Sequence, residues 1–463
     1  MRVFKYLIIL PILLFSKDLF SQETVDKSGV NSQDSIAMAR RKEYEEALKR
    51  MEENRRRREE DPQGYADSIA RVKEQRAFTR AVKRIEDYRD QNLNEILELD
   101  LTGARLKEIP AWIYDAEKLE VLVLDQNQIS GLPNELSRFK NLKRIYWRNN
   151  GLVHNGLKIP KLEGIEKIDL SDNAFTKLPK VHRLKGLEEL ILEGNQLTKI
   201  PTWRGRRLKD LKELDISRNP IQLDKRWYGM LDHIEILKLN KCELTAIDPS
   251  FYKMTGLHEL QIQVNNLENI PEGISAFQKL TKLSFYKNNL NQLPTDFYQL
   301  SQLTVVDFYY NDFEKIPSEI GKLTNLEILY LSFNKLYDLP KEIGKLTKLR
   351  ELYIHHNRLS EIPEDISNLG SLRVLHFQEN YIPEFPVPIL SMESLKDLDI
   401  SNTDIRRIPK GITKLPLRNF YWRNLEINLN SPDNEESRKS IMELMNKGTN
   451  VVPKVSMQEI SSN

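Results

Sequence analysis

The chain has 463 residues, 40% of them hydrophobic and 30% charged, with 70 Lys and Arg set against 68 Asp and Glu. That length exceeds what one ordinary core can organise, so the chain is multidomain or built by repetition. A net charge of only +2 gives no electrostatic case for nucleic acid, and a single cysteine, Cys242, cannot make a disulfide framework.

Residues 1–21 read as an export signal. Arg2 and Lys5 precede an apolar run from Tyr6 to Phe15, and a polar segment leads to a cleavage site at Phe20-Ser21/Gln22. The run is about half the roughly 20 residues a spanning helix needs, so no membrane span is expected after signal removal. No Asn-X-Ser/Thr acceptor occurs among more than thirty asparagines. With the missing disulfides, this favours a bacterial envelope, periplasmic, outer-membrane-associated or secreted location. No cysteine follows the apolar run, which argues against a lipoprotein anchor.

Residues 22–95 are charge-dense and duplicated. Asp34-Ser35-Ile36-Ala37 recurs as Asp67-Ser68-Ile69-Ala70, and Ala47-Leu48-Lys49-Arg50-Met51-Glu52 as Ala81-Val82-Lys83-Arg84-Ile85-Glu86. Tyr44, Ala47, Leu48 and Met51 form one apolar stripe at helical spacing, and Phe78, Ala81, Val82 and Ile85 form a second. The break at Asp61-Pro62-Gln63-Gly64 predicts two amphipathic helices joined by a turn, folded back as a hairpin or paired with a partner. The second also suits a cap for the open end of a repeat stack. The basic run Arg55 to Arg58 is followed by Glu59, Glu60 and Asp61, so its charge is locally cancelled and a solvated helix face is expected.

Residues 96–416 repeat with a period mostly of 23 residues, about fourteen units in all. The plainest copy is Leu326 to Lys348, with Leu326, Leu329, Leu331, Asn334, Leu336, Leu339, Pro340, Ile343 and Leu346 as its skeleton. One asparagine marks the register: Asn127, Asn150, Asn173, Asn195, Asn219, Asn265, Asn288, Asn311, Asn334, Asn357 and Asn380, with Cys242 and Thr403 in the same slot. Where a strand turns inward, buried backbone groups lack ladder partners, and a side-chain amide both donates and accepts. A structural column of stacked asparagines is therefore expected. Cys242 reads as a small buried member of it, because no activating base lies beside it in sequence.

The returns Ile270-Pro271-Glu272-Gly273-Ile274 and Leu339-Pro340-Lys341-Glu342-Ile343 place proline at the start of a turn between two core residues. Here the chain resembles the bacterial and plant Ras-group type of leucine-rich repeat, whose units share this Leu-Pro-x-x-Ile signature. The resemblance covers about 320 residues. It implies an α/β leucine-rich repeat solenoid, a horseshoe with a parallel concave sheet, and a protein-binding surface. His154 to Pro160, Trp203-Arg204-Gly205-Arg206-Arg207 and Asp224 to Leu231 depart from the pattern and are expected to repack locally.

Residues 417–449 read as a helical C-terminal cap: Leu417, Phe420, Trp422, Leu425 and Ile427 form an incomplete unit, followed by a helix carrying Ile441, Leu444 and Met445. Residues 450–463 read as a disordered tail.

In stacked parallel strands, equivalent positions form columns across the sheet face. Repeats four to seven present Asp169, Asp172, Glu193, Asp215, Arg218, Lys238 and Lys241, a charged surface. Repeats nine to thirteen present Tyr330, Tyr353 and His376 in one column, Tyr286 and Tyr309 in the next, and Tyr310, Phe333 and His356 in a third, with His355 between. Clustered rings on a strand face point to partner binding. Adjacent histidines without a supporting cysteine or carboxylate cluster make no zinc site. Gly321-Lys322-Leu323 and Gly344-Lys345-Leu346 lack the Ser/Thr and spaced glycine of a phosphate loop. The sequence thus indicates a non-enzymatic protein binder needing no cofactor or metal, acting through its concave face. A glycan or peptidoglycan binder and an envelope scaffold assembled through the N-terminal helices are the other readings.

Overall fold

The computed structural model describes residues 46, 49, 51–153, 157, 159–199, 208–223 and 231–453. The export signal, much of the first apolar stripe, Trp203, Trp227 and the last ten residues lie outside the described residues. The chain divides into two units, Met1–Arg76 and Ala77–Asn463.

In the first unit, residues 51–60 are helical and a second helix starts at Pro62. At the expected turn one helix gives way directly to the next: Asp61 N–H donates to the Arg57 carbonyl and Tyr65 N–H to the Asp61 carbonyl, so helical bonds meet at Asp61 from both sides. Pro62 sits where a helix tolerates proline, since the first-turn N–H it lacks would be unpaired anyway. The Asp61 carboxylate accepts from Gly64 N–H at 2.9 Å, capping the new helix. Arg56 and Arg57 pair with Glu60 and Glu53 one turn away, as the local cancellation of charge predicts. Met51, from the first stripe, is exposed.

The second unit is built on a sixteen-stranded parallel sheet of three-residue strands. Fourteen of these strands fall within residues 96–416 and run from Glu98–Asp100 to Asp397–Asp399. Each strand buries its middle residue, as the alternation of a strand requires, and most show both flanking ones, while Asp169, Asp215 and Ser284 are buried as well. Leu329 thus pairs with Leu352, and Tyr330 with Tyr353. Most returns are short 3-10 turns that begin directly after a proline, as in Lys341–Lys345 after Pro340. A Cβ on Gly344 would lie 2.3 Å from the Asp365 carbonyl oxygen of the next turn. That glycine therefore serves close turn packing, which is the reading its sequence context supports.

The asparagine column forms as expected. Asn334 Nδ2 donates to the carbonyls of Phe308 in the preceding repeat and of Leu331 in its own, at 2.9 and 3.0 Å. Its Oδ1 accepts from Phe313 N–H at 3.1 Å. Cys242 keeps the pattern with a weaker group: Sγ donates to the Ile216 carbonyl at 3.4 Å, and its N–H donates to Asn265. Burial pushes its thiol up to about 11, far from a nucleophilic thiolate.

Both ends of the sheet are covered. On the N-terminal side, Ala81 is buried and Ile85 packs on the core. Arg84 donates to the Asp100 and Thr102 carbonyls, at 2.8 and 2.7 Å, satisfying groups that a strand edge would leave bare. The Arg105 guanidinium lies 4.6 Å from the centre of the Phe78 ring. At the other end, the helix Glu435–Asn446 buries Ile441 and Leu444. The chain beyond it corrects the expected tail boundary: Asn450–Val452 is the sixteenth strand, paired with Asn419–Tyr421, because buried Phe420 offers Val451 an apolar neighbour.

Substituting alanine at Asn334 leaves the Phe308 and Leu331 carbonyls and the Phe313 N–H without their side-chain partner. We expect Asn334→Ala to lower stability by about 1–3 kcal/mol, read as a lower urea midpoint. An unchanged midpoint would show that the amide column does not carry this share of stability.

Candidate functional site

The predicted aromatic residues come together as two groups of touching rings. In the first, Tyr286 stacks on Tyr309 at 5.9 Å between centroids, and Tyr310, Phe333 and His356 form a run of stacked rings at 4.2 and 3.9 Å. Tyr309 joins the two rows, 4.9 Å from Tyr310 and 5.0 Å from Phe333. In the second group Tyr330 stacks on Tyr353 at 4.9 Å, and His376 meets Tyr353 edge-on at 5.2 Å. Strand register makes this column, since Tyr330, Tyr353 and His376 are direct cross-strand neighbours.

His355 differs from its expected exposed place. It is 9% exposed, beneath the rings of Tyr309, Phe333 and His356. Its Nδ1 lies 2.8 Å from Nδ1 of His356, so one neutral ring donates a proton to the other. Burial and the neighbouring His356 depress its pKa to about 4. The other rings are half-buried, and Tyr310 is exposed.

Sequence reasoning missed Tyr421, which extends the second column beyond Asp399 and lies 6.4 Å from His376. The signal was present but shifted, because the last unit is one residue shorter than the 23-residue period. It also missed the carboxylates that orient these rings. Tyr353 donates its hydroxyl to Glu351 at 2.9 Å, and this bond, after burial, raises the phenol's pKa. Asp397 lies 2.8 Å from His376 Nε2 and accepts from Asn419 at 2.7 Å. Burial works against the Asp397 charge, yet these two contacts outweigh it and hold its carboxyl below the usual range.

Three rings occupy a left-handed backbone position that recurs in the other repeats, where it holds residues such as Gln126, Val264 and Glu379. The residue before each column asparagine takes a left-handed conformation, which Gly194, Asn149 and Asp172 accept easily. In three successive repeats it is Tyr310, Phe333 and His356, with φ of 57°, 55° and 52°. Bulky residues there cost about 1–2 kcal/mol each, so the mutual stacking of these rings partly offsets backbone strain.

The earlier part of the same face is charged but paired. Arg218 meets Asp172 and Glu193 at 3.0 and 3.5 Å, Lys238 meets Glu213 at 2.6 Å, and Lys167 meets Glu189 at 2.6 Å. Among the described residues, no group of three or more His, Cys, Asp or Glu is arranged to hold a metal ion.

The His355 pKa sets a pH dependence. Its folded-state value of about 4 lies below the ordinary 6.5, so as pH falls through that interval the unfolded chain takes up the proton first. Folding stability therefore declines between those values and is not further changed by this group outside them. Urea midpoints measured across this window should fall with pH in the native chain and fall less in His355→Gln. Parallel profiles for the two would remove His355 as the cause.

A family described as a leucine-rich repeat region matches residues 231–361 and 328–452. A solved leucine-rich-repeat protein of Leptospira interrogans is 27% identical over 78% of this chain and 96% of its own, with a TM-score of 0.64. The Arabidopsis receptor kinase HAESA, solved with the peptide hormone IDA and the co-receptor SERK1, is 25% identical, covering 74% of this chain and 67% of its own at a TM-score of 0.54. A human volume-regulated anion channel subunit is 27% identical over 235 residues, 44% of this chain. That match spans only 29% of the human protein's length. The repeat pattern, the parallel sheet and these likenesses together identify the second unit as a leucine-rich-repeat solenoid.

Proposed function

We propose that the chain is a non-catalytic, protein-binding member of the Ras-group type of leucine-rich repeat, exported by a bacterium to its envelope or surroundings. Its partner docks on the sheet face between Tyr286 and Tyr421, on the inner side of the arc that such stacks form. The observation that carries this reading is the run of Tyr310, Phe333 and His356 in left-handed backbone positions. Elsewhere this left-handed slot holds residues such as Gln126, Lys241, Val264 and Glu379, so three rings in succession form an aromatic surface that the backbone itself does not call for. Rigid rings also bury much area at small entropic cost. The receptor-kinase likeness supports the reading, since that neighbour was solved with a peptide and a second protein.

Export rests on the basic start and apolar run of residues 2–15, the single cysteine and the missing glycan acceptors. No helix among the described residues is long and apolar enough to cross a membrane. A glycan reading gains no support from the rings. Tyr330 and Tyr353 are stacked 11° from parallel, and Phe333 and His356 16° from parallel, so these faces cover one another instead of standing open to a sugar.

Changing Tyr309, Tyr330, Phe333 and Tyr353 together to serine tests the face. Partners captured from envelope extract by the native chain should fall by about tenfold or more with this variant, as expected for a loss of central aromatic contacts, provided circular dichroism shows the repeats still folded. The same partners captured in the same amounts would reject the face as the docking site.

A further inference from the structure

The residue just before each strand forms a column of its own along the edge of the sheet face. In early repeats this column mixes signs, Glu120, Lys143, Glu166, Glu188, Lys212, Glu235, and each cation has an acid of the column beside it: Lys143 pairs with Glu120 at 3.3 Å and Lys212 with Glu188 at 2.8 Å. In the last repeats it reads Glu327, Arg350, Arg373, Lys396, Arg418. Backbone bonds put these in strict register, since Arg373 N–H donates to the Arg350 carbonyl, Lys396 N–H to Arg373 and Arg418 N–H to Lys396, at 2.8, 2.8 and 2.7 Å. Arg350 has Glu327 at 3.2 Å. Arg373, Lys396 and Arg418 make no ion pair among the described residues, and both arginines are exposed.

Like charges on neighbouring strands, about 4.8 Å apart, repel one another. In the early repeats a glutamate of the same column pairs with each lysine, and here Arg373, Lys396 and Arg418 have no such partner among the described residues. The nearby carboxylates are already engaged: Glu351 with the Tyr353 hydroxyl, Asp397 with His376 and Asn419, and Asp399 with Ser401 N–H. The cations are left for something outside the chain.

Resting on the sheet-face reading above, we propose that Arg373, Lys396 and Arg418, with Arg350 at the end, receive an acidic, extended segment of the partner polypeptide. Three strand spacings give the stripe a length of about 14 Å, which matches carboxylates at i, i+2 and i+4 of an extended chain. Between stripe and rings the next column reads Glu351, Val374, Asp397 and Asn419, so half-buried Val374 is its apolar position and the two carboxylates there are those already engaged. A stripe one residue wide fits a chain better than a flat lipid surface. Rings stacked face to face leave little for a charged sugar polymer to lie on.

Fluorescence anisotropy with a short labelled peptide alternating Glu and Val, and one alternating Lys and Val, tests the stripe on the full chain. Phosphatidylglycerol vesicles and heparin serve as competing anions. The Glu peptide should bind, weaken as salt rises, and lose about tenfold or more in affinity in R373Q/K396Q/R418Q. Equal binding by that variant, or binding of vesicles or heparin but not of the Glu peptide, overturns the proposal. Capture of the native partner separates the two claims. If the four-serine variant loses the partner while the three-glutamine variant keeps it, the sheet face stands and the acidic segment falls. If both keep it, both fall, and if the three-glutamine variant loses it with its melting curve intact, the stripe is upheld.

Discussion

The structure depends on one repeated hydrogen-bonding problem and its solution. A strand of three residues cannot pair its backbone for long, and the chain must then turn inward through the core, where unpaired N–H and C=O groups are costly. A buried amide answers this by donating to two carbonyls and accepting from an N–H of the neighbouring repeat, as Asn334 does. Each unit therefore completes the one before it. Hydrophobic burial by residues such as Leu329 and Leu331 supplies the bulk of the driving force, but the amide fixes where the turn falls and so the register of every strand.

Strict register is what gives the molecule a usable surface. Because each strand repeats the last with little slippage, side chains at one position line up, and a local choice of residue becomes a column. In the earlier repeats the columns close upon themselves through ion pairs such as Arg218 with Asp172 and Lys238 with Glu213. Further on they carry rings, and beside the rings a line of cations. The same scaffold thus displays one half paired through charges and another that carries stacked rings with a line of cations beside them. The left-handed residue before each amide is part of this design, since it aims Tyr310, Phe333 and His356 outward at a backbone cost.

Much of this was legible in the sequence, because a 23-residue period converts position directly into place. The amide column, the buried Cys242 and the pairing of Tyr330 with Tyr353 and His376 follow from counting. What was not legible required knowledge of neighbours. His355 occupies an outward slot by count, but Tyr309, Phe333 and His356 close over it. Tyr421 escaped because the last unit is a residue short, and the strand Asn450–Val452 because it depends on a helix first returning the chain to the sheet. Asp61-Pro62-Gln63-Gly64 looked like a hairpin turn, yet proline in the first turn of a helix leaves the helical bonds on either side intact. The basic stripe lies one residue outside the strand alternation, where a reading of in-and-out periodicity does not look.

The central claim is that the ring-bearing half of the sheet meets another protein. A photo-crosslinking phenylalanine analogue placed at Tyr353, on the sheet face, and separately at Tyr337, an exposed tyrosine in the return of the same stretch, tests it most directly. The account predicts a discrete crosslinked protein from position 353 that is absent from position 337. Identical products from both positions, or none from 353 under conditions where a partner is captured, would contradict it.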